Sequence, residues 1–292
     1  METLESLSDA LETTGDIQSI VRTMKALSSV SIRQYEQAER AMASYARTVE
    51  VGLMAVLRHD RTAELTRPGA GGGTGREALI VIGSDRGLCG GYNDRITRFA
   101  LSRMNGRPML LGVIGTRAAA RLEAVGKPAD FLRSLPGSVE GLSRLVQSVI
   151  VEIDRWTRVE GVGEVWLVHN RREGRIAAKP QAHRLLPLPD SYLRKLAQAE
   201  WPGRSLPLVR VEHRQMMSWL VQQRLFVVVY RALAEALASE HASRLAAMQA
   251  AEHNIDERRD ALHQLYRQRR QETITRELLD VVSGFEAVQT AD

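Results

Sequence analysis

Residues 212–288, EHRQMMSWLVQQRLFVVVYRALAEALASEHASRLAAMQAAEHNIDERRDALHQLYRQRRQETITRELLDVVSGFEAV, contain no proline and one glycine, Gly284 near the end. A single α-helix over most of this stretch would run roughly 100 Å at 1.5 Å per residue, longer than a globular domain needs. From Leu237 the series His241, Leu245, Met248, Glu252, Ile255, Arg259, Leu262, Tyr266, Arg269 and Thr273 steps by three or four, which keeps one stripe facing a partner. The stripe starts apolar and turns mixed. Glu252, Arg259 and Arg269 are therefore expected either to point outward or to belong to a helix end that other proteins read.

The opposite end of the chain supplies the partner. Two heptad rows start near Ile17: Val21, Ser28, Tyr35, Met42, Val49 and Val56, and Ile17, Met24, Ser31, Ala38, Tyr45 and Gly52. Five full heptads exceed the 8–20 residues of an ordinary surface helix. Small residues at Ser28, Ser31, Ala38 and Gly52 let two backbones approach. The expected fold is α/β: a long antiparallel two-helix coiled coil of the N- and C-terminal segments, with a Rossmann-like α/β domain inserted at its turn. The expected boundaries are a first helix over 1–58 (Leu4 to Leu57, Gly15 a weak point), a linker over 59–77, the inserted domain over 78–211 and the last helix over 212–292. Pro68 and the cluster Gly69 to Gly75 mark the linker as a spacer.

Inside the insert the pattern changes. Ala78 to Ile82 is a continuous apolar run and reads as a buried strand; the glycine-containing loop Ser84 to Gly91 follows, then a helix over Tyr92 to Met104. Further strands are expected at Met109 to Ile114, Asp130 to Leu135, Glu164 to His169 and Ile176 to Leu186, the last two joined at Arg171 to Gly174. Helices are expected over Thr116 to Val125, over Ser138 to Trp156 with Ser138 as cap, and over Ser191 to Glu200. Pro202 to Val211 is an extended lead into the long helix. Alternating strands and helices give a mostly parallel sheet.

Composition narrows the function classes. Of 292 residues 44% are hydrophobic and the net charge is +5, enough for a core and too little charge, with no lysine run or aromatic-interleaved basic patch, for nucleic-acid binding. The cations are mostly arginine, suited to forking onto carboxylates of a protein partner. One cysteine, Cys89, excludes an intrachain disulfide and points to a reducing compartment. No histidine spacing makes a metal site, Met1 to Glu5 is neither a signal nor a transit segment, and the longest strong apolar run, Leu225 to Tyr230, is far short of a membrane span. The loop Gly83 to Gly91 matches neither G-x-G-x-x-G nor a P-loop and lacks a lysine for a phosphate. Gly87, Gly90 and Gly91 are read instead as a tight strand-to-helix turn needing positive φ or close backbone approach. No cofactor is expected, and Cys89 has no base assigned to it.

Four ordered motifs then identify a resemblance. Ser84-Asp85-Arg86-Gly87-Leu88-Cys89-Gly90-Gly91-Tyr92-Asn93 resembles the S-D-R-G-L-C-G-G-x-N motif of the gamma subunit of F-type ATP synthases. Ile20 to Met24 resembles its I-T-K-A-M, Ala238 to Met248 its A-S-E-x-x-x-R-x-x-A-M, and Arg270 to Leu278 its R-Q-x-x-I-T-x-E-L. The resemblance covers nearly the whole chain. It implies a non-catalytic rotor shaft with no active site of its own, turning inside a ring of alpha and beta subunits while its α/β domain meets the epsilon subunit and the c-subunit ring. Membrane association would be indirect, at the cytoplasmic face of a bacterial or archaeal plasma membrane. The motifs make Arg270 and Gln271 contacts to the beta subunits, with Arg22, Met24, Lys25 and Arg244 as further contacts to the alpha/beta ring, and Ser84, Asp85, Arg86, Gly87, Gly90 and Gly91 a structural loop. Phe285 to Val288 would either seat in an apolar bearing or form a frayed end. Departures at Arg22, at Val30-Ser31-Ile32 and at Ala251-Glu252-His253-Asn254 point to the divergent bacterial and archaeal branch, some members of which translocate Na⁺. The competing readings are a stand-alone coiled-coil scaffold with an α/β module and a dinucleotide-dependent enzyme with helical arms.

Overall fold

The computed structural model describes residues 3–59, 75–174, 176–205 and 211–289, the side chains of 59, 176 and 284–289 excepted. Most of the glycine-rich connector, the middle of the Pro202 to Val211 lead and the Phe285 to Val288 side chains lie outside the described residues. The chain packs as two units: Met1–Leu27 with Ala247–Asp292, and Ser28–Ala246. Helix α1 (Leu4–His59) and helix α6 (His213–Gln289) contribute to both.

In the first unit the two helices run antiparallel. Gln18 donates to Asp256 and accepts from Arg259, while Lys25 and Arg22 reach Glu252; rising numbers on one helix meet falling numbers on the other. Leu7, Val21, Met248 and Leu262 are buried. The mixed stripe is thus resolved by pairing. Glu252 and Arg259 turn inward onto polar partners of α1, and only Arg269 faces solvent, bridged to Glu272 at 2.8 Å.

The second unit shows the same antiparallel sense at Tyr35 with His241, whose rings stack at 5.8 Å, at Glu39 with Arg231 and at Tyr45 with Gln223. The heptad row from Val21 to Val56 is buried apart from the half-buried Met42. The second row is met in part. Ala38 is buried, a Cβ on Gly52 would lie 2.7 Å from Leu220 of α6, and Tyr45, though 38% exposed, bonds Gln223, whereas Ile17 is 47% exposed. Gln18, Lys25 and Glu39, each one residue on from a member of that row, also pair with α6. They enter the seam because α6 offers Asp256, Glu252 and Arg231 to meet them, so polarity hid these positions.

The insert is a five-stranded sheet in the order β3-β2-β1-β4-β5. The strands are β1 (Arg76–Ile82), β2 (Met109–Ile114), β3 (Phe131–Arg133), β4 (Val162–Glu173) and β5 (Ile176–Leu186). Pairs β1·β2, β1·β4 and β2·β3 are parallel and β4·β5 antiparallel, as the alternation of elements required. Helices α2 (Tyr92–Met104) and α3 (Thr116–Glu123) pack Ile96, Ala100 and Leu122 with Leu79 and Val81; α4 (Leu142–Arg158) packs Val149 and Trp156 in the core that holds Ile80 and Ile82. Alternate β1 side chains thus enter different layers. Ser138 does not cap a helix with its side chain; a 3₁₀ turn at Val139–Gly141 follows it, and α5 spans Asp190–Gln198.

At Gly83 a Cβ would lie 2.2 Å from the Cβ of Ala118, inside any van der Waals contact. Gly83→Ala should therefore destabilise the protein by about 1–3 kcal/mol, the usual overpacking range, read as a lowered urea midpoint with an unchanged m-value.

Candidate functional site

In a parallel sheet of this order the crevice opens where successive crossovers leave in opposite directions, at the carboxyl ends of β1 and β4. The loop 83–91 lies there, and the crevice is filled by α6. Tyr92 Oη donates to the carbonyl of Ala236 at 3.0 Å, and Ser239 Oγ to that of Ala177 on β5 at 2.6 Å. His169 Nε2 sits 2.8 Å from Glu235 Oε2, and Asn170 Nδ2 donates to the Tyr92 carbonyl. The chain's own helix α6 thus supplies the contacts at this end of the sheet, beside a loop that carries neither nucleotide-binding motif.

The loop is tied from within. Asn93 accepts the Ser84 N–H at 3.0 Å and donates to Ser84 Oγ at 2.7 Å. The Asp85 carboxylate accepts two backbone N–H groups, Thr116 at 2.8 Å and Leu135 at 2.6 Å, so one side chain joins the loop to the start of α3 and the end of β3. Of the three glycines in the turn only Gly90 takes a left-handed conformation, φ +56°; Leu88 takes the other, at φ 58°. A Cβ on Gly87 would meet nothing within 4 Å. Its carbonyl is what the fold uses, because it accepts from Arg244 Nη2 at 3.2 Å.

Arg244 is the hub of this contact. It is 5% exposed, and the same Nη2 reaches Glu240 Oε1 at 2.7 Å. Burial holds the Glu240 carboxyl above the usual carboxylate range, and Arg244 opposes that shift. Beside them, burial first, and then Arg244 and Arg86, push His241 down to about 4. The sign follows from linkage. Between about pH 4 and 6.5 the unfolded chain holds a proton on this imidazole that the folded chain does not, so its contribution is full above pH 6.5 and lost on acidification. The shift corresponds to up to about 3 kcal/mol. His241→Gln should flatten the stability–pH profile over that window relative to the parent, checked by urea unfolding at pH 4.5 and 7.5.

Cys89 is 2% exposed, packed against Ser84 Oγ at 3.8 Å, and burial pushes its thiol up. A raised thiol is a poor nucleophile. Cys89→Ser should keep activity in an assembled complex, and complete loss with normal folding would restore a chemical role for the thiol.

The residues expected to touch partners separate by location. Arg270 and Gln271 are exposed on α6, and the guanidinium of Arg270 makes no hydrogen bond or ion pair with another described residue. Exposed apolar residues follow them: Ile274, Leu278 and Val281, the last 69% exposed. Met24 is half-buried. Lys25 and Arg22 both reach Glu252, holding its carboxyl below the usual range, though the Arg22 side chain stays 63% exposed. Arg244 is internal. Of the loop residues, Arg86 is exposed and Ser84 buried. Motif matching places Arg244 correctly in sequence but cannot tell an arginine that faces a partner from one that holds a loop. Tyr92, Asn93 and Glu240, all in quoted motifs, were the missed members. No described helix is long and apolar enough to cross a membrane, and no described group of three or more His, Cys, Asp or Glu could hold a metal.

Comparison with known proteins gives one consistent result. The ATP-synt family, described as ATP synthase, matches residues 3–288. An ATP synthase gamma chain of Nitrosomonas eutropha is 30% identical over 224 residues, 73% of this chain and 74% of that one. One of Glaesserella parasuis is 31% identical over 216 residues, covering 72% and 73%. Among solved structures, the Euglena gracilis mitochondrial ATP synthase is similar in its OSCP/F1/c-ring structure, with TM-score 0.67, 19% identity and 99% and 95% of the two chains covered. Its rotor structure gives TM-score 0.64 at 19% identity, over 93% and 98%. The central stalk of the Tetrahymena thermophila enzyme gives 0.58 at 20%, over 80% and 99%.

Proposed function

The chain belongs to the gamma-chain family of ATP synthases, and from that premise we infer that it is the central rotor shaft of such an enzyme, coupling ion flow to ATP synthesis or hydrolysis without an active site of its own. The observation that carries this reading is the antiparallel pairing of the two terminal helices within each packing unit, Gln18 with Asp256 in one and Glu39 with Arg231 in the other. A rotor has to transmit torque, and two long helices held by both apolar and charged contacts resist twisting better than one.

On this reading 1–58 and 212–292 form the shaft, 59–77 the spacer and 78–211 the inserted domain. The exposed Arg270 and Gln271 meet the beta subunits, with Arg22, Met24 and Lys25 as secondary contacts. The inserted domain meets the epsilon subunit and the c-subunit ring, so the protein is a peripheral subunit at the cytoplasmic face of a bacterial or archaeal plasma membrane. The Arg244–Gly87 and Tyr92–Ala236 hydrogen bonds then tie the domain that receives torque to the helix that delivers it.

Co-expression with alpha and beta subunits tests the reading. A stoichiometric complex whose ATP hydrolysis requires this chain is the expected result; full hydrolysis by alpha and beta subunits without it would favour the scaffold reading. Stimulation of the whole complex by Na⁺ would assign it to the sodium-translocating branch.

A further inference from the structure

A cavity of about 430 Å³ lies in the second unit between the edge strand β5, helix α5 and helix α6. Its wall carries His183, Arg184, Lys195 and Arg224 and no carboxylate. Elsewhere several cations are paired, as Arg231 is with Glu39 and Arg172 with Glu36. Arg184, Lys195 and Arg224 form no ion pair with any described residue. Arg224 is half-buried, lies over the Tyr192 ring at 4.8 Å, and its Nε is buried without a hydrogen-bond acceptor among the described residues. Glu50, which accepts from Tyr192 Oη at 3.5 Å, is not in the wall. Three cations without an ion-pair partner among the described residues outweigh the nearest carboxylates, Glu50 beside Tyr192 and Glu235 in an adjoining hollow with His183 and Arg224, and favour an anion.

We propose that this cavity binds a phosphate group, free or carried on a small ester. Arginine guanidinium forks and a lysine ammonium are the donors that phosphate recognition uses, and β5, as an edge strand, leaves backbone N–H groups unpaired along its outer side. Leu188 and Leu225 give the same cavity an apolar wall, which suits the non-phosphate part of an ester. The volume falls within the range of small-molecule sites, about 300–1,000 Å³. His183 adds a measurable consequence. Burial and the neighbouring His169, Arg171 and Arg224 hold its imidazole below the usual histidine range, with only Glu235 acting the other way. That lowering favours the uncharged imidazole at neutral pH, and an arriving dianion should draw a proton onto it.

The test uses the full-length chain, titrated calorimetrically with sodium phosphate and, separately, phenyl phosphate, at constant ionic strength set with sodium chloride. Saturable one-site binding is expected, weakened at least about tenfold by Arg224→Gln and by Lys195→Gln, with unchanged thermal unfolding of both variants. Tighter binding of phenyl phosphate identifies an ester site and equal binding a site for free phosphate. Proton uptake, read by repeating the titration in buffers of different ionisation enthalpy, should disappear in His183→Gln. No saturable heat at millimolar phosphate, or binding that both cation variants leave unchanged, overturns the proposal. Because the chain is tested alone, neither result depends on its role as a shaft.

Discussion

Arg244→Met is expected to cost about 3–5 kcal/mol of stability, the range for removing one partner of a buried ion pair. The substitution leaves Glu240, 4% exposed, without its cation, and leaves the Gly87 carbonyl without the guanidinium that holds the loop to α6. The pH dependence separates this cause from a packing defect. Without Arg244 the Glu240 carboxyl rises further, so the penalty is greatest at neutral pH and shrinks as acid protonates it. Adding Glu240→Leu should recover much of the loss, because an apolar pair of similar volume replaces the ion pair. A loss below about 1 kcal/mol would show that the clamp does not hold the loop, and no recovery in the double variant would place the loss at the Gly87 carbonyl rather than at the unpaired carboxylate.

Arg270→Ala should have the largest effect on turnover and almost none on folding. The side chain is exposed, makes no hydrogen bond or ion pair with another described residue, and lies in the middle of a helix where alanine is favourable. If its guanidinium forks onto a carboxylate of a beta subunit during the cycle, its removal should lower ATP hydrolysis by the assembled complex about tenfold, the loss of one charge-assisted hydrogen bond. Nucleotide affinity of the beta subunits should stay within about twofold. Unchanged turnover would remove Arg270 from the coupling surface.

The long helices and the mostly parallel sheet could be read from the sequence because each rests on a local rule. Absence of proline and glycine over 212–283 permits one helix, and strands separated by helices force a parallel sheet. The seam was half legible. Its apolar row stood out, whereas Gln18, Lys25 and Glu39 look like surface residues until Asp256, Glu252 and Arg231, some 190 to 240 positions away, are placed opposite them. Ile17 misled for the converse reason, since an exposed apolar side chain on a long helix costs little. The loop 84–91 was legible as a structural turn, but not its purpose. Which glycine carries the left-handed conformation, and that the Gly87 carbonyl receives Arg244, depend on where α6 passes. The cavity beside β5 had no signal at all, because Arg184, Lys195 and Arg224 sit on three different elements.

Rotation itself is the most direct test. With Cys89 replaced by serine and a single cysteine placed at Arg98, an exposed position on α2, a bead can be attached to the inserted domain while the alpha and beta subunits are fixed to a surface. A shaft built from the two chain ends should turn the bead in one direction, stepwise and only with ATP. Brisk ATP hydrolysis by the same immobilised complexes with the bead motionless and still firmly attached would contradict the account.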